Sequence, residues 1–197
     1  SCLVGSEMCI RDRTGLGLCF PVLMMVTAFA MLIGSGGAPR AAIYMGKGDN
    51  ETAERILGNS VTSLIVISVV LTIFLEAVAE PILWMFGASE KTLPFALGYM
   101  RIYVAGSIFV MMTLGLNMFI TTQGFAKISM KTVLIGAICN IILDPLFIFA
   151  FHMGVKGAAV ATILSQAVSA VWVFSFLNGK QTKPVSYTHL RAHETRG

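Results

Sequence analysis

Five apolar runs, each long enough to cross a lipid bilayer as a helix, leave this chain few ways to fold. A helix needs about 20 consecutive, mostly apolar residues to span the hydrocarbon core. The sequence offers such runs at roughly 16–45, 56–78, 95–122, 129–151 and 155–177. Several exceed the minimum and can tilt or begin before the bilayer does. Only 12% of the 197 residues are charged, against 56% hydrophobic, and that is about half the charge of a soluble domain. Too little polar surface exists to cover an aqueous exterior, so lipid is the solvent that accepts the surplus. The fold class expected is all-α, a polytopic membrane helical bundle of about five transmembrane helices. Polar or glycine-rich breaks at Gly46–Asn50, Gly87–Lys91 and Gly154–Gly157 separate the runs.

Basic residues orient the bundle. Arg40, Lys47 and Arg55 follow the first run, Lys127 and Lys131 the third, and Lys180 and Lys183 the fifth. The alternate connections offer Lys91 and Lys156, with Arg101 at the head of the third run. Cytoplasmic loops collect Lys and Arg, which assigns the first set to the cytoplasm.

Both ends differ abruptly in composition from the middle. Residues 3–13 can be encoded by a DNA whose reverse complement, in another frame, encodes Val185 through Glu194. That inverted pair resembles a transposon adapter of sequencing libraries, so residues 1–13 and 185–197 are expected to be translated adapter. Residues 14–184 are then the membrane helical bundle. Cys2, Cys9, His189 and His193 match no common zinc spacing. Cys19 and Cys139 stand in apolar stretches, where an isolated cysteine is most simply a packing residue.

Small and polar residues inside the runs ask for more than five anchors. Gly34, Gly36 and Gly37 suit close helix contact or local distortion, and packing alone is the simpler account. Asn117, Thr121, Thr122 and Gln123 either line a cavity or hydrogen-bond to neighbours. Asp144 is the carboxylate placed deepest, and an ionised group at a membrane helix centre costs at least about 2.5–3.5 kcal/mol. It must face protein or water, as a proton or sodium binder or as a hydrogen-bonded packing residue. Asn140 lies four residues earlier on the same helix face. Pro145 cannot donate to the carbonyl of Ile141. Folding the hairpin at Met153 puts Asp144 and Thr162 at similar depth, about 13 Å below the turn. A carboxylate, an amide, a hydroxyl and a free carbonyl are oxygen donors of the kind a hard cation prefers.

Three stretches resemble the multidrug and toxic compound extrusion (MATE) family. They are 34–39 with 45–54, 86–89 with Ala96 and 99–103, and 140–148 with 154–166. The resemblance implies a transporter of two six-helix halves, with this chain spanning helices two to six of the N-terminal half. It implies export of organic cations or amphipathic drugs in exchange for Na+ or H+, in a bacterial plasma membrane. Family members couple the ion through a first-helix carboxylate, an Asn and an Asp on the fifth helix and a Thr on the sixth. The matching positions are Asn140, Asp144 and Thr162, and the first helix with its acidic residue is expected to be missing. Asn117 falls where the family lines its N-terminal cavity. The implied partners are a small-molecule drug substrate, membrane lipid and the missing C-terminal half, with no nucleic acid. The implied cofactors are none beyond a possible Na+ or H+ as coupling ion, with no metal except a possible Na+ at Asp144. A lipid-linked oligosaccharide flippase of related architecture is the alternative, although it would need more cations within the spans. Gly46-Lys-Gly-Asp49 matches the GxGD pattern of intramembrane aspartyl proteases, but Asp49 falls in a charged turn, and no enzyme is expected.

Overall fold

The structure is a computed structural model that describes the backbone of residues 2–177 and the side chains from Gly17 onward. The side chains of Cys2 and Cys9, together with Lys180, Lys183, His189, His193 and the expected 185–197 adapter, lie outside the described residues. The chain forms α1 (Cys2–Gly46), α2 (Asn50–Ala77), the short α3 (Ala79–Met85), α4 (Leu93–Ala105), α5 (Ser107–Thr122), α6 (Ala126–Pro145) and α7 (Val155–Leu177). A five-residue π-helix, Leu146–Ala150, extends α6. Among the described residues there is no strand. Among the described residues four helices are long and apolar enough to cross a membrane, and the bent pair α4–α5, counted as one span, brings the number to five. The expected all-α polytopic bundle is therefore present.

The third run is not one helix, as the sequence suggested, but two that meet at Gly106 with a bend of 53°. Two contacts account for the break. A Cβ at Gly106 would collide with the side chain of Ile163 on α7, so only glycine lets α7 come this close. At the bend the Val104 carbonyl accepts a backbone N–H of the helix end. Thr72 of α2 adds a second bond across the helices, donating from Oγ1 to Val104 O at 3.1 Å with Ser107 Oγ 3.2 Å away. On the same α2–α4 face, Arg101 Nε lies 3.7 Å from Glu76 Oε2.

Helix α5 is the hub, packed against α1, α2, α6 and α7. Met111, Leu116, Phe119 and Ile120 are fully buried there beside Val22 and Val26 of α1 and Leu64 of α2. Close approach depends on glycine: a Cβ on Gly34 of α1 would lie 2.9 Å from the Gly115 carbonyl oxygen of α5, and one on Gly115 would lie 2.8 Å from Leu64. The turn between α1 and α2 is short. Asp49 caps α2, accepting from Thr52 N at 3.0 Å and Thr52 Oγ1 at 2.7 Å. Arg40 and Arg55, grouped with that loop in the sequence reading, belong to the helices on either side of it.

Candidate functional site

Helix α6 is the least buried of the spans. Thr132 is its one buried residue, and Met130, Val133, Leu134, Ile138, Ile141 and Ile142 point outward. It docks on α7 through small and polar groups. Ser169 Oγ donates to Thr132 O at 3.3 Å, a Cβ on Gly136 would lie 2.8 Å from Ser169 Oγ, and Gly157 lies flat against the Phe147 backbone.

At this edge the structure brings together Asn140, Asp144 and Thr162. The Asn140 amide Nδ2 donates to Asp144 Oδ1 and to Thr162 Oγ1, both at 3.4 Å. One NH2 group has two protons, so a single amide bridges the carboxylate and the hydroxyl. Both contacts sit beyond the usual N–H···O range of 2.7–3.2 Å. They are loose bonds that a shift of a few tenths of an ångström would tighten or break. All three side chains are half-buried. Turning the amide over would present Oδ1 instead of Nδ2, so the same positions can offer three oxygens to a cation.

The link from Asp144 to Thr162 runs through Asn140, and among the described residues no hydrogen bond joins Asp144 to Thr162 directly. Pro145 has no N–H, and the π-turn Leu146–Ala150 follows it, where Phe151 N reaches back to Leu146 O at 3.1 Å. The chain reverses at 151–154, with His152 and Gly154 at positive φ, and Asp144 lies one turn nearer that reversal than Asn140.

Sequence reasoning missed Tyr99. It is buried on α4 and stacked on Tyr103 with ring centroids 6.1 Å apart. The i, i+4 tyrosine pair was the available signal. Next to it, Gly98 of α4 lies under the aliphatic stem of Lys156 of α7.

Asn117 is not hydrogen-bonded to this cluster. It lies on α5 between Thr113, which donates to Gln166 O at 3.0 Å, and Thr121, which contacts Ser129 Oγ of α6 at 2.8 Å. Its Oδ1 is buried without a partner, as are Gln123 Oε1 and Gln166 Oε1. Thr121 and Thr122, by contrast, are satisfied by backbone carbonyls of their own helix. Asp49 remains at the α1–α2 turn, at the other end of the bundle from the α6–α7 reversal, so the two aspartates do not face each other as a protease pair would.

The MatE family model matches residues 12–146. The chain is 28% identical over 167 residues to the multidrug export protein MepA of Staphylococcus haemolyticus, covering 85% of this chain and 37% of that protein. It is 26% identical to an FAD transporter of Shewanella oneidensis, again covering 37% of the relative. A solved inward-facing multidrug resistance MATE family transporter superposes with a TM-score of 0.83 at 29% identity, covering 87% of this chain and 39% of that one. An outward-facing structure of such a transporter gives 0.80 at 30% identity. The chain thus spans well under half the length of the relatives it matches.

Proposed function

The chain belongs to the MatE family, and on that premise we propose that it forms part of a secondary active multidrug efflux antiporter of the bacterial plasma membrane. The proposed activity is export of organic cations or amphipathic drugs against inward flow of Na+ or H+. The observation that carries the proposal is the bridge from Asp144 through Asn140 to Thr162 at the edge of the bundle. A carboxylate in a bilayer is costly unless it binds something, and this one has a single long bond from an amide that can turn over.

In this reading the coupling ion is cargo. A proton binds Asp144 Oδ1 or Oδ2, and the neutral acid then donates where the carboxylate accepted. A sodium ion would instead gather the Asp144 carboxylate, Thr162 Oγ1 and the reversed Asn140 Oδ1, with the Ile141 carbonyl left free by Pro145 as a further oxygen. Either event rewrites the bonds of Asn140, one of which joins α6 to α7. Asn117 is proposed to line the substrate cavity, where its unpaired Oδ1 can accept from a bound cation's N–H groups. The remainder of the transporter is proposed to supply the second half against which this one moves.

The test uses the full-length protein that carries this segment, in vesicles loaded with ethidium or FAD, the latter because one relative is named an FAD transporter. Asp144→Asn should abolish ion-driven efflux while the protein still inserts and binds substrate. Undiminished efflux by that variant would end the proposal.

A further inference from the structure

Among the described residues three side-chain oxygens are sealed inside the bundle without a partner. Two of them, Asn117 Oδ1 and Gln166 Oε1, face one seam where α5, α6 and α7 meet. The hydrogen bonds fix that placement. Asn117 stands four residues from Thr113, which donates to Gln166 O of α7, and four from Thr121, which bonds Ser129 Oγ of α6. Gln166 stands four residues from Thr162, which meets Asn140 of α6, and three from Ser169, which donates to Thr132 O of α6. Residues three and four apart share a helix face, so both amides look into the space between the three helices.

The same bonds give the heights. Thr121–Ser129 sets α5 against α6, while Ser169–Thr132 and Asn140–Thr162 set α7 against α6. Counting up from these at 1.5 Å per residue puts Thr113 and Gln166 within about 2 Å of one height, and the bond between them agrees. On that scale Asn117, Gln166 and Asn140 lie about 6, 10 and 16 Å above Ser129. The steps are each about 5 Å, the distance one water spans when it bonds to two polar atoms. At the lower end Thr121 is exposed, beside the α5–α6 turn.

Neither amide nitrogen has a hydrogen bond among the described residues and, unlike the oxygens, neither is sealed. Turning an amide over exchanges its two atoms but still leaves one of them sealed and unpaired, a costly state inside a bilayer. Water entering at the open side is what ordinarily satisfies such groups. We propose that this seam holds a file of water from Thr121, past Asn117 and Gln166, to the Asn140–Thr162 contact. The file gives the Asp144 cluster an aqueous route to the end that Lys127 and Lys131 assign to the cytoplasm. Its existence does not require Asp144 to couple transport. Its use as the exit of the coupling ion rests on that reading.

The test is cysteine access in the full-length protein, with its native cysteines replaced, in oriented membrane vesicles and with silver ion as the probe. A thiol reacts as the thiolate, which apolar burial suppresses and water favours, and Ag+ is small enough for a path one water wide. Thr113→Cys lies above Asn117 on the file, and Ser68→Cys lies off it on α2. Both parent residues are buried, at 7% and 1% exposure. Ag+ added on the side of the α5–α6 turn should block later maleimide labelling of Thr113→Cys about tenfold faster than that of Ser68→Cys. Asn117→Leu or Gln166→Leu, added to Thr113→Cys, should slow its blocking by a similar factor while circular dichroism stays helical. Ser169→Cys is the second reporter, read in the same way, if Thr113→Cys misfolds. Equal rates at the reporter and at Ser68→Cys, faster reaction from the opposite side, or no response to either leucine would overturn the file. These rates need no transport, so they are separate from the Asp144→Asn efflux result. Undiminished efflux with Ag+ access intact would remove the ion reading and leave the file standing.

Discussion

Alanine at Gly34 and alanine at Gly36 should have opposite effects, although the two glycines stand two residues apart on one helix. At Gly34 the new methyl would lie 2.9 Å from the Gly115 carbonyl oxygen, 3.0 Å from Met118 Cγ and 3.2 Å from Gly115 Cα. Two of those three atoms are backbone of the hub helix and cannot rotate aside, so α1 and α5 must part by several tenths of an ångström. At Gly36 nothing lies within 4 Å. Both substitutions gain the same helix propensity, at most about 1 kcal/mol, so it cancels in the comparison. What remains is overpacking, typically about 1–3 kcal/mol, which corresponds to about a 5- to 150-fold difference between the two unfolding constants. The assay is titration of the full chain in mixed micelles with dodecyl sulfate, followed by circular dichroism. Gly36→Ala should match or exceed the parent, and Gly34→Ala should unfold at distinctly lower dodecyl sulfate. If Gly34→Ala proves as stable as Gly36→Ala, the close α1–α5 contact does not hold the bundle together.

Two further outcomes follow from hydrogen bonds. Thr72→Val removes the interhelical side-chain bond to Val104 O at the α4–α5 break and should cost about 0.6–1.7 kcal/mol in the same titration, with Thr72→Ser recovering most of it. Equal stability of the valine variant would mean that the hydroxyl does not hold the break. The hydroxyl and backbone N–H of Thr52 hold the Asp49 carboxyl below its ordinary value of 3.8. A group whose folded pKa is depressed stabilises above the unfolded pKa and loses that contribution as pH falls through the folded one. The first turn of α2 should therefore fray below pH 3.8. Amide exchange at Thr52 and Ala53, corrected for intrinsic rates, should accelerate there in the parent and show no such step in Asp49→Asn.

Much of the fold was legible because lipid imposes length and composition on each span, and all five apolar runs became helical. The break at Gly106 was not legible. Glycine is common in membrane helices, and what makes this one bend is Ile163, which lies on α7 far along the chain. The glycine cluster of α1 shows the same limit: Gly34 and Gly37 meet α5 and α2, while Gly36 opens a groove. Nothing in the local sequence separates those roles, since they depend on which helix passes each residue. Helix spacing did put Asn140 and Asp144 on one face, and both are in the cluster. Spacing alone did not foresee the π-turn Leu146–Ala150 or the bridging amide of Asn140 between Asp144 and Thr162.

The distribution of burial gives the candidate site a mechanical meaning. Helices α1, α2, α5 and α7 share the core, and α5 is locked on several sides by fully buried side chains. Helix α6 shares almost none of that core: it buries Thr132 alone and ends in a π-turn. Elements with few buried apolar contacts open at low free-energy cost, and π-turns recur at functional positions. Near that turn one amide, Asn140 Nδ2, reaches both Asp144 on its own helix and Thr162 on α7, each at 3.4 Å. In the proposed reading, a change in the charge or occupancy of Asp144 therefore falls on the least buried span of the bundle, at a bond long enough to break readily. The same carboxylate on α5 would be braced by the core and would move nothing. Position, as much as chemistry, is what makes Asp144 the residue to perturb.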